Sequence, residues 1–498
     1  MDADLRTLRE RLGEISDLYR AMGVLGWDQR VTMPPLGTPA RAEAMATLGR
    51  IAHEKFTDDE LGALLEKLRP LEESLDYDSD DASLIRVARR DWEKNRKVPA
   101  ELRAEMIRAG SQGHAVWAEA RRNNDFGAFL PVLERNLELR KRYVECFEWE
   151  DSPYTPLLDD YEPFMTTTEV AEVFDVIGPE LVKLVTAAPD VDASFLDVSY
   201  DPDKQREFCM RVTETVGFDE GAWRLDPTVH PFCTSFSRRD VRLTTRYQPT
   251  GLGSLWGTLH ESGHGQYAHG IAASLERTPL AGSPSLGLNE SQSRTWENLV
   301  GRSRPFWTHW YEPIQETFPD QLGHVSLDAF LAGINRARPG FIRVEADETT
   351  YSLHIILRFG LERRLIEGTL EPKDVREAWN ESMRELLGLE VTDDANGVLQ
   401  DTHWSAGSLG YFPTYALGNV LSLQIWAVVR EAIPDLDAQL EAGELLELSA
   451  WLRDNLYSLG RKFKPMETLE RITGSSRIDP EPYLTYLREK QSALSASA

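Results

Sequence analysis

Apolar residues recur at helical spacing through most of this chain. Near the N-terminus they stand three or four positions apart, at Leu5, Leu8, Leu12, Ile15, Leu18 and Met22. Such spacing predicts amphipathic helices, and a similar pattern runs from residue 82 to about 147, with interruptions near Pro99 and around 123–127. Thr166 and Glu169 have the spacing of a capping box, which predicts a further helix start. The pattern therefore predicts a mainly α-helical protein.

One segment has a different period. Between residues 240 and 247, Val241, Leu243 and Thr245 alternate with polar residues, which predicts a half-buried strand. No repeat or low-complexity tract occurs in the 498 residues. We therefore expect a single domain over residues 1–498, built mainly of helices, with a small β element and a central cleft.

The most informative motif follows this strand, on a predicted helix that starts near Ser254. His260 and His264 stand four residues apart, with Glu261 directly after the first. Residues four apart lie on the same helix face, so both imidazoles can bind one metal ion. Glu261 lies about 100° around the helix, where it can act as general base on a metal-bound water. The pattern predicts a catalytic zinc site; the alternative is a chance match.

A catalytic zinc of this kind needs a third protein ligand. Glu290 and Glu297 stand downstream, seven residues apart, so one helix would turn both toward the same side. We predict Glu290 as the ligand and Glu297 as the carboxylate that receives a hydrogen bond from a metal-binding His. The opposite assignment of the two roles is one alternative. The other is that both glutamates are solvated helix residues with no role at a metal. A third His six residues after His264 is excluded, because that position is Gly270.

Seven short motifs occur along the chain. They are HPF at His230–Phe232, DVRLT at Asp240–Thr244, HESGH at His260–His264, ESQ at Glu290–Gln292, IRVEAD at Ile342–Asp347, GVLQDTHW at Gly397–Trp404 and GYFPTY at Gly410–Tyr415. In this order they resemble the thermostable carboxypeptidase Taq family, the M32 metallopeptidases. Residues 225–420 carry the catalytic motifs, and GWDQRVTMPPLGTPARAEAMATL near the N-terminus extends the resemblance over essentially the whole chain. Phe164 departs from the family pattern, in which we expect Gly at this position.

The resemblance implies a large helical, zincin-like HExxH metallopeptidase fold and a homodimer. It also implies that the N-terminal helices, about residues 1–150, wall the cleft. His230 is expected to contact the substrate carbonyl, and the hydroxyl of Tyr411 or Tyr415 to hydrogen-bond the oxyanion. His403 is a further candidate donor. For each of these side chains a purely structural role is the alternative.

A carboxypeptidase must recognise the free carboxylate of its substrate. A planar guanidinium offers two parallel donors for that purpose, and Arg343 is the first candidate. The alternative is a structural ion pair of Arg343 with Glu345 or Asp347. Arg242 is the next candidate for the carboxylate.

The predicted strand directly precedes the metal helix. A strand in this place can bind a peptide backbone along a free edge. The alternative is a structural strand in which Asp240 and Arg242 pair on the outer face.

Composition and net charge limit which binding partners and which cellular compartment fit this chain. The chain has 55 basic and 82 acidic residues, a net charge of −27, which repels nucleic acid and anionic membranes alike. It has no apolar run of membrane length and no apolar leader at its start. Three scattered cysteines argue against a disulfide framework and for a reducing compartment. We therefore expect a cytoplasmic protein.

The sequence thus predicts a zinc-dependent metallocarboxypeptidase that removes C-terminal residues from peptides. Cobalt or manganese can occupy the same ligands. Two alternatives remain: an oligopeptidase that cuts internal bonds in a narrow cleft with the same chemistry, and a helical binding or scaffold protein with a structural zinc. Glu261 argues against the scaffold, because a closed structural site needs no carboxylate beside its first ligand.

Overall fold

Helices make up most of the protein, whose computed structural model describes residues 2–497. The mainly α-helical fold expected from the apolar spacing is confirmed. In chain order the helices are α1 Asp2–Val31, α2 Thr38–Phe56, α3 Asp59–Ser74, α4 Asp80–Lys97, α5 Ala100–Asn123, α6 Phe126–Val144, α7 Thr155–Leu158, α8 Thr167–Ala187, α9 Pro202–Thr215, α10 Gly253–Gly270, α11 Leu286–Arg294, α12 Arg304–Thr317, α13 Pro319–Leu322, α14 Leu327–Ile334, α15 Tyr351–Glu367, α16 Val375–Leu387, α17 Pro413–Ala432, α18 Leu436–Ala442, α19 Leu446–Asn455, α20 Pro465–Thr473 and α21 Glu481–Ser497.

The first helix shows how the apolar pattern is used. Leu8, Leu12 and Ile15 are buried on one side of α1, because residues three and four apart share a helix face. Helices α4 and α5 end where the pattern predicted interruptions. At the start of α8, Thr166 and Glu169 form the predicted capping box.

The β element is a sheet of three strands: β1 Trp223–Pro227, β2 Cys233–Ser237 and β3 Asp240–Thr245. Their order is β1-β3-β2, with β1 parallel and β2 antiparallel to β3. The predicted strand is β3, but both of its edges are paired. The expectation that it offers a free edge to a peptide is therefore wrong, and β2 is an edge strand instead. Sequence analysis missed β1 and β2 because each has only five residues and weak alternation.

Two glycines let α10 pack closely between the sheet and α11. A Cβ added to Gly265 would lie 2.9 Å from a methyl carbon of Leu243 in β3. A Cβ added to Gly263 would lie 2.5 Å from the carbonyl oxygen of Gln292 in α11. Both distances are far below van der Waals contact, so only glycine fits there. This packing turns the two motif histidines toward Glu290.

Within residues 2–497, no helix has both the length and the apolar composition that crossing a membrane requires.

Candidate metal centre

The three predicted metal ligands lie together. One ligand atom from each of His260, His264 and Glu290 falls within 4.8 Å of the others. Glu290 Oε2 is 3.7 Å from His260 Nε2 and 3.5 Å from His264 Nε2. Two imidazole nitrogens and one carboxylate oxygen form a donor set that fits a divalent metal such as zinc, with a coordination position left open.

The other ring nitrogen of each histidine is held by a hydrogen bond. His260 Nδ1 lies 2.8 Å from Glu297 Oε2, and His264 Nδ1 lies 2.5 Å from Asn289 Oδ1. Such contacts set the ring orientation and present Nε2 to the metal. Sequence reasoning named Glu297 but missed Asn289, although its place directly before Glu290 was a usable signal.

Arg294 connects the two carboxylates and was also missed from the sequence. Its Nε donates to Glu290 Oε1 at 2.9 Å, and its Nη1 donates to Glu297 Oε2 at 3.0 Å. Arg294 stands four residues after Glu290 and three before Glu297, so one helical face carries all three. The helix continues from α11 into a π-helical turn, Thr295–Val300, which carries Glu297.

The charges around the two histidines differ. Burial opposes the imidazolium of His260, but Glu290 and Glu297 outweigh it and raise its pKa to about 9. Burial and the neighbouring His260 lower the pKa of His264 to about 4. Burial works against ionised Glu297, yet Arg294 and His260 lower its pKa to about 2. The region therefore carries an anionic pair of glutamates before any metal binds.

Glu261 lies beside the ligands without joining them. Its side chain is buried, and its Oε2 has no hydrogen-bond partner among residues 2–497. Burial raises the pKa of this carboxyl to about 7. A carboxyl with such a pKa beside a metal site can both accept and return a proton near neutral pH.

A cavity of about 530 Å³, the metal cavity, opens onto these residues. It is lined by the three ligands, Glu261, part of β2, Tyr411 and Tyr415. The two tyrosine rings have centroids 5.2 Å apart. Helix α17 begins at Pro413, so Tyr415 lies in its first turn. Proline favours this first helical position because it lacks the amide hydrogen that has no partner there.

His403 lies behind the tyrosines and is not among the residues that line the metal cavity. Its ring centroid is 4.5 Å from that of Phe412 and 5.3 Å from that of Tyr411. Its Nδ1 is buried without a hydrogen-bond partner in the described structure, 3.9 Å from Asp401. Burial lowers the pKa of His403 to about 4, so the imidazole is neutral.

Arg343 is buried behind Tyr415. Its Nε and Nη2 donate to Asp401 at 3.1 and 2.7 Å, and its Nη1 donates to the hydroxyl of Tyr351 at 2.9 Å. Its guanidinium carbon lies 4.9 Å from the centre of the Tyr415 ring. Arg358 also binds Asp401, at 2.6 Å. The expected alternative partners, Glu345 and Asp347, are therefore wrong: the ion pair is with Asp401.

Like Arg343, the remaining two candidates, His230 and Arg242, do not line the metal cavity. His230 is exposed between β1 and β2, directly before Pro231, which lines the cavity. Arg242 pairs with Asp240 at 2.8 and 2.9 Å and stacks over Trp27 at 4.5 Å.

A family model for "Carboxypeptidase Taq (M32) metallopeptidase" matches residues 7–491. The chain belongs to the M32 family. It is 38% identical over 507 residues to "Thermostable carboxypeptidase 1" of Thermus thermophilus, with 99% of both chains covered. It is 36% identical over 489 residues to "Carboxypeptidase 1" of Bacillus subtilis, with 97% of both covered.

Solved structures agree with this assignment. The M32 carboxypeptidase from Deinococcus radiodurans R1 superposes with a TM-score of 0.95 at 37% identity, covering 99% of this chain and 100% of the other. The metallocarboxypeptidase 1 of Trypanosoma cruzi gives a TM-score of 0.93 at 31% identity, covering 98% and 99%. The resemblance found in the sequence is confirmed. This M32 protein is a metallocarboxypeptidase, a hydrolase of peptides.

Proposed function

We propose that this M32 metallocarboxypeptidase binds zinc through His260, His264 and Glu290 and removes single residues from the free C-termini of peptides. Glu261 is the general base and then the general acid. The observation that carries this proposal is the convergence of the three ligand atoms within 4.8 Å beside a buried, unpartnered carboxylate oxygen. Cobalt or manganese can replace zinc at these donors.

A divalent ion at this site makes water more acidic and polarises the substrate carbonyl. The chain's own part begins with Glu261, which takes a proton from the attacking water and passes it to the leaving amine. Its location in a buried wall of the metal cavity supports this role, because burial keeps the carboxyl pKa near neutrality. Glu297 and Asn289 keep the two imidazoles oriented throughout.

Charge develops on the carbonyl oxygen as water attacks, and a donor already aimed at that oxygen lowers the barrier. Tyr411 and Tyr415 both line the metal cavity, and we propose that one of their hydroxyls is this donor. His403 supports them from behind through ring contacts. His230 remains a proposed contact to the substrate carbonyl, from the exposed segment beside Pro231.

We propose Arg343 as the group that binds the terminal carboxylate. Three of its five N–H donors have partners in the structure, which leaves two for a ligand. Its contact with Tyr415 places it next to the metal cavity. Arg242 fits less well, because its guanidinium pairs with Asp240 and stacks over Trp27, and neither of these residues lines that cavity.

The peptide backbone is proposed to bind along β2. The carbonyl of Phe232 accepts from Thr244 of β3 at 3.0 Å. Backbone groups of successive strand residues face opposite edges, so those of Cys233 and Ser235 face away from β3. Both residues line the metal cavity, which supports pairing with an extended substrate.

We also propose a cytoplasmic homodimer formed by a single domain of residues 1–498. The homodimer follows from the M32 resemblance, and free thiols at Cys146, Cys209 and Cys233 fit a reducing compartment. The net charge of −27 disfavours nucleic acid as a partner. Light scattering after gel filtration would test the homodimer.

The experiment that tests the activity is mass spectrometry of peptide products after incubation with zinc-loaded protein. A carboxypeptidase gives a ladder of products shortened one residue at a time from the C-terminus. The same peptides with an amidated C-terminus should be cut far more slowly, because the amide lacks the charge that Arg343 binds. Internal fragments from both substrates would establish the oligopeptidase instead, and no hydrolysis of any peptide would favour a structural zinc.

A further inference from the structure

A second cavity of about 530 Å³ adjoins the metal cavity. The two share lining residues on β2 and on the facing segment, among them Thr234, Ser235 and Gly282. Residues of α1, including Ile15 and Tyr19, form the far wall of this second cavity. The two spaces therefore make one continuous groove along the same strand.

The second cavity has an unbalanced set of charges. Five charged side chains line it: Arg20, Arg238, Arg461, Asp91 and Glu276. Arg461 is neutralised by Asp91, which accepts from its Nη1 and Nη2 at 3.0 and 3.1 Å. Of the remaining three, Glu276 accepts from the backbone amide of Arg238 at 2.9 Å. Two guanidinium groups therefore face a single carboxylate.

Neither remaining guanidinium is paired. Among residues 2–497, no carboxylate lies within ion-pair distance of Arg20 or Arg238, and their side chains form no hydrogen bond. The Nε of Arg238 is buried and lacks a hydrogen-bond partner in the described structure. An unpaired buried donor costs free energy that a ligand anion can recover. Both side chains are therefore suited to bind an anion.

The direction in which a peptide lies in the groove determines which of its residues reaches the second cavity. This step rests on the proposed function, in which the terminal carboxylate lies at Arg343, beside Tyr415 in the metal cavity. The chain leading back from the cleaved bond must then leave along β2, from Cys233 toward Arg238. These two residues are five positions apart, about 16 Å along an extended strand. That distance corresponds to the third to fifth substrate residue before the cleaved bond.

We propose that the second cavity is a subsite for an acidic side chain of the peptide, bound by Arg238 and Arg20 three to five residues upstream of the cleaved bond. A carboxylate there restores the charge balance of the cavity and pairs with the free Nε of Arg238. Since this contact is remote from the reacting atoms and equal in ground and transition states, it lowers KM more than it changes kcat.

The test compares peptides of one length and one C-terminal residue that carry Glu, Gln or Lys at each of the third to fifth upstream positions. With the zinc-loaded wild type, Glu at one position should raise kcat/KM at least about tenfold over Gln, through KM. In Arg238→Gln this preference should fall severalfold, and in the double variant with Arg20→Gln it should vanish. Arg239→Gln is the matched control, because Arg239 is the exposed neighbour and lines neither cavity.

The other possible outcomes distinguish failure of the acidic subsite from failure of the proposed carboxypeptidase activity. A ladder of products with equal rates for Glu and Gln would overturn the acidic subsite while keeping the carboxypeptidase. A preference for Lys would assign the cavity to Glu276 and overturn it as well. Loss of free-acid over amide selectivity in Arg238→Gln would mean that the second cavity holds the C-terminus. Thermal unfolding of each variant checks that the β2–β3 turn is intact.

Discussion

At the scale of single residues, the two histidines of the proposed metal site are alike in sequence but not in environment. His260 is held by a carboxylate, Glu297, whereas His264 is held by an amide, Asn289. A carboxylate makes the ring more basic and a better electron donor to the metal, whereas a neutral amide fixes orientation only. Arg294 donates to Glu297 and to Glu290, so its single positive charge offsets part of their negative charge.

Glu261→Gln should retain zinc and lose nearly all turnover, because the amide cannot accept the proton of the attacking water. A fall in kcat of at least about 10² is expected. Metal analysis of the purified variant and steady-state kinetics check this. Stoichiometric zinc together with wild-type kcat would remove Glu261 from the mechanism.

Glu290→Ala should weaken zinc binding much more than Glu297→Ala. The first removes a ligand, while the second removes a hydrogen bond to His260 and should cost about 10- to 100-fold in affinity. Competition with a coloured chelator measures both. The reverse order would exchange the two assigned roles.

Arg343→Ala should lower kcat/KM on free-acid peptides by about 10² to 10⁴, and most of the preference over the amide should disappear. Zinc content should stay unchanged. Arg242→Ala is the control, because Arg242 pairs with Asp240 and stacks over Trp27, whereas Arg343 contacts Tyr415 of the metal cavity. Full free-acid selectivity in the Arg343 variant would make Arg343 a purely structural partner of Asp401.

At the scale of elements, close helix packing brings the ligands together. Helix α11, which carries Glu290, lies between α10 and α17, and a glycine of each neighbouring helix faces α11. A Cβ at Gly418 of α17 would lie 2.6 Å from Glu290 Cγ, and one at Gly263 of α10 would lie 2.5 Å from the Gln292 carbonyl oxygen. Helix separation therefore sets the distance between the histidines and the third ligand.

Gly263→Ala should push α11 away from α10, destabilise the protein by about 1–3 kcal/mol and weaken zinc binding. Gly360→Ala on α15 is the control: nothing lies within 4 Å of its added Cβ, and alanine should raise helix stability by up to about 1 kcal/mol. For both variants, thermal unfolding measures the stability and competition with a chelator measures the zinc affinity. Unchanged zinc affinity in Gly263→Ala would show that α11 can shift without moving Glu290.

At the scale of the whole molecule, a buried carboxyl ties distant segments together behind the site. Glu362 of α15 accepts from the hydroxyl of Tyr154 at 2.7 Å, from the indole of Trp404 at 2.7 Å and from the amide of Gly410 at 3.0 Å. Burial outweighs these donors and raises the pKa of Glu362 to about 7. The neutral acid is therefore the form that the fold prefers.

This raised pKa predicts a pH-dependent stability. The usual value is 4.5, so the contribution is complete below about pH 4.5 and is lost as the pH rises through 7. Its size is about 3 kcal/mol. Glu362→Gln stays neutral, so the variant should gain stability relative to wild type by about that amount between pH 4.5 and 8.

Denaturant unfolding of both proteins at pH 5 and pH 8 measures the change. Glu371→Gln, at an exposed position, is the control: its free energy of unfolding should differ from that of the wild type by the same amount at both pH values. If the free energy of unfolding of Glu362→Gln also differed from wild type by the same amount at both pH values, the three hydrogen bonds would be keeping Glu362 ionised from pH 5 to pH 8.

The departure at Phe164 shows a limit of sequence patterns. The M32 resemblance predicts Gly there, and the backbone of Phe164 has a φ of 68°, which favours glycine. Its exposed ring receives the cations of Arg90 at 4.2 Å and Lys464 at 4.9 Å. The sequence signalled an unusual backbone position, but only the folded structure supplies the cations beside the ring.

The sequence by itself determined the helical class and identified the pair of histidines and the candidate glutamates that the structure brings together. These depend on spacing within one helix, and a period of 3.6 residues fixes which side chains share a face whatever surrounds them. Tertiary structure decided the rest. Arg343 meets Asp401 across 58 positions, and β3 lies in the middle of the sheet, which leaves β1 and β2 as the edge strands. Such pairings depend on how whole elements pack, and no local period along the chain encodes them.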